Sequence, residues 1–80
     1  MEWVKKPDGS EAAKYAGLAL PECHFRILPS SGRWQWIVDW PGGSVGSGFE
    51  ETVEAAKFQA WQAFIFEDDR LEFLQERADG

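Results

Sequence analysis

Between Arg33 and Trp40 the chain reads Arg-Trp-Gln-Trp-Ile-Val-Asp-Trp, and Trp34, Trp36, Val38 and Trp40 fall on one parity. A strand puts alternate side chains on opposite faces, so three indoles and a valine share one side of this segment. That side needs a cover. The pattern supplies one in the run from Thr52 to Phe66, where Val53, Ala56, Ala60, Ala63 and Phe64 recur at helical spacing. Alanines let the helix axis come close to a sheet face already filled by indoles. A second stripe, Phe58, Trp61 and Ile65, widens the apolar arc beyond what one sheet covers.

The flanking segments predict two more strands. Glu22 to Leu28 alternates, with Cys23, Phe25 and Ile27 on one face. If Pro29 to Gly32 is a four-residue loop, Leu28 pairs with Arg33, Ile27 with Trp34 and Phe25 with Trp36. Pro41-Gly42-Gly43 predicts a second tight turn leading into a Gly-rich third strand, Ser44 to Phe49. Pairing across that turn sets Trp40 against Val45, Val38 against Ser47 and Trp36 against Phe49, which puts Phe49 on the face under the helix.

Before the strands, Trp3 and Val4 lead into a turn around Pro7-Asp8-Gly9, and Ser10 reads as the N-cap of a short helix through Ala16 that Gly17 stops. After Phe66 no proline or internal glycine interrupts Glu67 to Asp79, so more helix is expected, with a break near Asp68 where an Asp can cap a new start. Leu71 and Leu74 would then fold back onto Phe58 and Trp61, unless a second copy of the chain covers that stripe. The expected fold class is α+β: a three-stranded antiparallel sheet packed by one long helix, with a short N-terminal helix and a C-terminal helical extension. The single domain 1-80 divides into an arm and short helix (1-21), the sheet (22-49), the main helix (51-66) and an acidic C-terminal helix (68-78).

Composition narrows the chemistry. A chain of 80 residues holds one core, and five Trp and six Phe supply much of it. One cysteine excludes an internal disulfide, and with no signal-like or membrane-spanning apolar run the expected location is a reducing cytoplasm. The net charge of −6 disfavours direct binding of nucleic acid or of anionic membranes. It is unevenly placed: from Trp34 onward there are ten acids against three basic residues.

No constellation identifies a reaction, so an enzyme is not expected. Cys23 and His24 are neighbours on a strand and point to opposite faces, which rules out a shared metal or a nucleophile and base pair. The run Gly42 to Gly48 lacks the Lys and Ser/Thr of a phosphate loop, and Glu50 and Glu51 stand where a phosphate would sit. No metal and no cofactor are expected. The residues that stand out are the carboxylates Glu67, Asp68, Asp69, Glu72 and Glu76, read either as a solvated helix face or as a surface that imitates nucleic-acid phosphates toward a basic protein groove. Trp3 and Trp61 are the candidate interface anchors.

Residues 22 to 66 resemble the strand-strand-strand-helix plan of many small phage and mobile-element proteins, through Phe25-Arg26-Ile27, Trp34-Gln35-Trp36-Ile37-Val38, Gly48 and Thr52-Val53-Glu54-Ala55-Ala56. Pro41-Gly42, Gly46 or Gly48, and Thr52-Val53-Glu54-Ala55 are also similar to antitoxins of the HicB type. In size and acidity it resembles anti-CRISPR inhibitors. That resemblance implies a non-enzymatic inhibitor acting in the cytoplasm of a bacterial host on the basic groove of a nucleic-acid-binding complex. The second resemblance implies an antitoxin-like oligomer that neutralises a toxin. Either a monomer or a homodimer fits the sequence.

Overall fold

The computed structural model describes residues 1–79, with side chains through residue 74. It is an α+β fold in which five antiparallel strands, β1 (Val4–Lys5), β2 (Glu11–Tyr15), β3 (Cys23–Ser30), β4 (Arg33–Trp40) and β5 (Gly43–Glu50), lie side by side in chain order. One helix, α1 (Val53–Asp79), crosses one face of this sheet. The expected three-stranded sheet is therefore a five-stranded one, and the expected N-terminal helix does not exist. Residues Glu11 to Tyr15 instead pair with β3, Ala13 opposite Phe25 and Tyr15 opposite Cys23.

Local preference loses here for a physical reason. The advantage of alanine in a helix is a few tenths of a kcal/mol per residue, and so short a helix lacks the length to recover its nucleation cost. Pairing with β3 satisfies that strand's otherwise bare edge. It also buries Ala13 in the core beside Phe25 and Phe64.

The hairpins correct the register as well. Ser31 and Gly32, both with positive φ, form a two-residue turn in place of the expected four-residue loop. Ile27 thus pairs with Trp36 and Phe25 with Val38, a shift of two residues that leaves every apolar side chain on its expected face. Between β4 and β5 the ladder slips at Val38/Asp39, so Val38 pairs with Gly46 and Trp36 with Gly48. This bulge inverts the parity of the end of β5. Phe49, expected under the helix, is exposed on the far face opposite Gln35. Gly48 takes the inner position because a Cβ there would lie 2.7 Å from Trp36 Nε1. The indole lies across the β5 backbone, its Nε1 buried without an acceptor among the described residues.

Thr52 caps α1, its Oγ1 accepting from the Ala55 N–H at 3.1 Å. Ala56, Ala60 and Phe64 are buried against the sheet as their spacing predicts, together with Phe25, Ile27 and Val38. Aromatic rings fill the gap between α1 and strands β2 and β3: Phe64 meets Phe25 edge-on at 5.4 Å, and Tyr15 meets Trp61 edge-on at 5.0 Å. Lys57 ties the same edge, its Nζ 2.7 Å from Glu11 and 5.2 Å from the centre of the Trp3 ring.

The expected break near Asp68 is absent, and α1 runs unbroken for 27 residues. At about 1.5 Å per residue that is roughly 40 Å, whereas an eight-residue strand spans roughly 27 Å. The helix therefore overhangs its sheet, and the molecule measures 48 × 19 × 18 Å. With no reversal of the chain, Leu71 and Leu74 do not fold back over Phe58.

Candidate protein-binding face on the helix

The five carboxylates proposed from the sequence do not form one row. Asp68 follows Ala60 and Phe64 at four-residue intervals and so sits on the stripe that faces the sheet, where it is buried. A buried carboxylate needs donors. It finds them in the loop between β2 and β3: Oδ1 accepts from the N–H groups of Ala19 at 2.7 Å and Leu20 at 2.9 Å, and Oδ2 from that of Leu18 at 3.2 Å. Burial alone raises its pKa, but the three backbone donors outweigh that and hold it below the ordinary carboxylate value. Gly17 leaves room for this clasp, since a Cβ there would lie 2.5 Å from Oδ1.

Asp68 is thus an internal fastening between helix and loop, not part of an acidic surface. The signal for it was in the sequence, as the one acid on an otherwise apolar stripe. Among the other four, Glu67 pairs with Arg70 one turn on, with Arg70 Nε donating to Oε2 at 3.2 Å. Asp69 is exposed and Glu72 half-buried. Glu76 has a side chain outside the described residues.

The two candidate anchors are half-buried. Trp3 meets Phe25 edge-on at 6.1 Å, and Trp61 stacks on Phe64 at 5.4 Å. Both pack on the core.

A different set of residues marks the surface. On the side of α1 turned away from the sheet, Phe58 is 58% exposed, Ile65 37%, Phe66 73% and Phe73 56%. Gln62 and Asp69 stand among them, also exposed. Phe58 and Ile65 belonged to a stripe that needed covering, but Trp61, grouped with them, turns inward. Phe66 and Phe73 were not singled out. The row from Phe58 to Phe73 spans fifteen residues, about 22 Å of helix.

The opposite face of the sheet has no helix on it. There a groove of about 730 Å³ runs over Val4 and Ala12, bordered by Lys6, Lys14, Arg26 and Asp39. Lys14, His24 and Asp39 lie abreast on three strands, and Asp39 takes a hydrogen bond from Arg26 Nη2 at 3.1 Å. Charge on this groove is mixed, so it selects no ligand by sign.

The one thiol, Cys23, is buried, and burial followed by the nearby Asp68 charge pushes its pKa up to about 11, away from the nucleophilic thiolate. No group of three or more His, Cys, Asp or Glu among the described residues is placed to hold a metal ion. No helix is long and apolar enough to cross a membrane among the described residues. Comparison with protein-family models, curated proteins and solved structures found no match.

Proposed function

We propose that the chain is a non-enzymatic binding module that docks onto another protein through the outward face of α1. The observation that supports this reading is the row Phe58, Ile65, Phe66 and Phe73 on the side of the helix its own sheet does not cover. Large apolar residues in register along one helix face are the anchors of helix-in-groove recognition. Singly exposed apolar residues need no explanation, but four large ones aligned on one helix face do.

The chemistry of the partner follows from the charges around the row. Glu54 and Asp69 are exposed on this side of the helix, Glu72 is half-buried, and the chain carries −6 overall. A groove with a basic rim is favoured both in steering and in final fit. Basic grooves of this kind belong to proteins that handle nucleic acids, because phosphate neutralisation requires Lys and Arg. Occupying such a groove excludes the nucleic acid, so inhibition of a nucleic-acid-handling complex is the expected activity.

Affinity capture from a bacterial lysate tests this, with a Phe58→Glu, Phe66→Glu double variant as control. A basic protein retained by the parent, lost by the variant, released by salt and displaced by nucleic acid supports the reading. Equal retention by both chains overturns it.

A further inference from the structure

We infer that the outward face of α1 pairs with the same face of a second copy, the two helices running antiparallel. This rests on the reading of that face as a docking surface and names one of its occupants.

Three observations select a second copy. The first is symmetry. Along the exposed row the apolar positions are 58, 65, 66 and 73 and the polar ones 62 and 69, a spacing that reads identically from either end about a centre between Ile65 and Phe66. A two-fold interface demands that if residue i meets residue j, then j meets i. Antiparallel pairing about that centre sets Phe58 against the second copy's Phe73 and Ile65 against its Phe66.

The second is charge. In the same register Asp69 faces the second copy's Gln62 and Glu72 faces its Gln59, so each acid meets an amide. A parallel pair would put Asp69 against Asp69 and Glu72 against Glu72, which like-charge repulsion disfavours. Antiparallel helix dipoles add to the preference.

The third is area. At about 200 Å² for a fully exposed aromatic side chain, the four apolar residues offer roughly 400 Å² per chain and roughly 800 Å² per pair. Flanking Gln59, Gln62, Asp69 and Glu72 bring the contact toward the roughly 1,200 Å² at which specific interfaces begin. The association is therefore reversible, with Kd between about 1 μM and about 1 mM. A basic partner that uses the same face competes with it.

Sedimentation equilibrium across that concentration range, at low and high salt, is the first test. Two chains of net charge −6 repel, so the dimer fraction is expected to rise with salt, whereas capture of a basic partner weakens with it. Ile65→Glu and, separately, Phe58→Glu are each expected to give monomers with unchanged circular dichroism, since both sites are exposed.

Cysteine cross-linking fixes the orientation. Residues 62 and 69 of one helix are about 10 Å apart along its axis, too far for an internal disulfide, so an antiparallel pair cross-links only when Gln62→Cys and Asp69→Cys are both present, whereas a parallel pair cross-links through either single variant. Oxidation is expected to yield a covalent dimer for the double variant and none for either single variant. A parent chain that stays monomeric throughout, or single variants that cross-link as readily as the double, overturns the inference. Salt-sensitive capture of a basic partner would in that case still stand, and the loss of that capture alone would leave the dimer.

Discussion

Asp68 Oδ1 accepts a hydrogen bond from the Ala19 N–H at 2.7 Å, joining residues 49 positions apart in the chain. With the Leu18 and Leu20 contacts, this one carboxylate holds the loop between β2 and β3 on the helix. Asp68→Ala leaves buried N–H donors without acceptors, at a cost on the order of 2 to 3 kcal/mol. Asp68→Asn keeps one acceptor for Ala19 and Leu20 and turns an amide toward Leu18, so a smaller loss is expected. Thermal melts of the two variants check the order.

The same clasp sets a pH dependence. Burial works against the charged carboxylate, the three N–H donors work for it, and the net pKa lies below 3.8 in the folded chain. A depressed folded pKa means the unfolded chain binds the proton first as pH falls. The clasp's contribution is thus full above the ordinary carboxylate range and is lost as pH drops through the folded value. Melting temperatures between neutral and strongly acid pH are expected to fall less steeply for Asp68→Asn than for the parent.

Cys23 supplies a third expectation. With its pKa pushed to about 11 by burial and then by Asp68, the thiol stays neutral across the ordinary range. Thiol reagents at mildly alkaline pH are expected to label it only at the rate of global opening, and labelling in urea to be complete at once. Since an ordinary thiol ionises near 9 and this one near 11, the stability it contributes is present below the first value and is lost between the two.

Two glycines of β5 make opposite predictions. A Cβ at Gly48 would stand 2.7 Å from Trp36 Nε1, while one at Gly46 would stand 3.5 Å from the same ring, an ordinary contact. Gly48→Ala is expected to displace the indole, costing about 1 to 3 kcal/mol as overpacking does, with a shift in tryptophan emission. Gly46→Ala is expected to be neutral or slightly stabilising through the unfolded chain.

The core was legible where one rule governed it. Trp36 and Val38 on one parity, with Ala56, Ala60 and Phe64 at helical spacing, are enough to dock α1 on β4, and a two-residue error in the β3 register did no harm because it preserved parity. Reading failed where tertiary pairing overrode local preference. Glu11 to Tyr15 carries helix-forming alanines yet completes the sheet, and the bulge after Val38 is invisible without knowing how closely Trp36 approaches Gly48. The acidic run divides by helical phase. Charge was counted along the sequence, whereas the helical phase of Asp68 relative to Ala60 and Phe64 places it inside.

That phase separates folding from recognition. Asp69 and Asp68 are adjacent in sequence, but one is exposed beside Phe66 and the other is buried against Ala19. Asp69→Lys with Glu72→Lys reverses charge at one exposed and one half-buried position of the outward face, where charges in contact with solvent contribute little to stability, so the melting temperature is expected to hold within a few degrees. Binding to a basic partner is expected to weaken and its salt dependence to flatten, because the reversed charges repel the groove's rim. Asp68→Lys, by contrast, places a cation against three N–H donors in a buried site and is expected to destabilise the fold before any partner is added. Melting and binding measured side by side check the division. If Asp69→Lys with Glu72→Lys binds at full strength, the acids only solvate the helix, and recognition rests on Phe58, Ile65, Phe66 and Phe73.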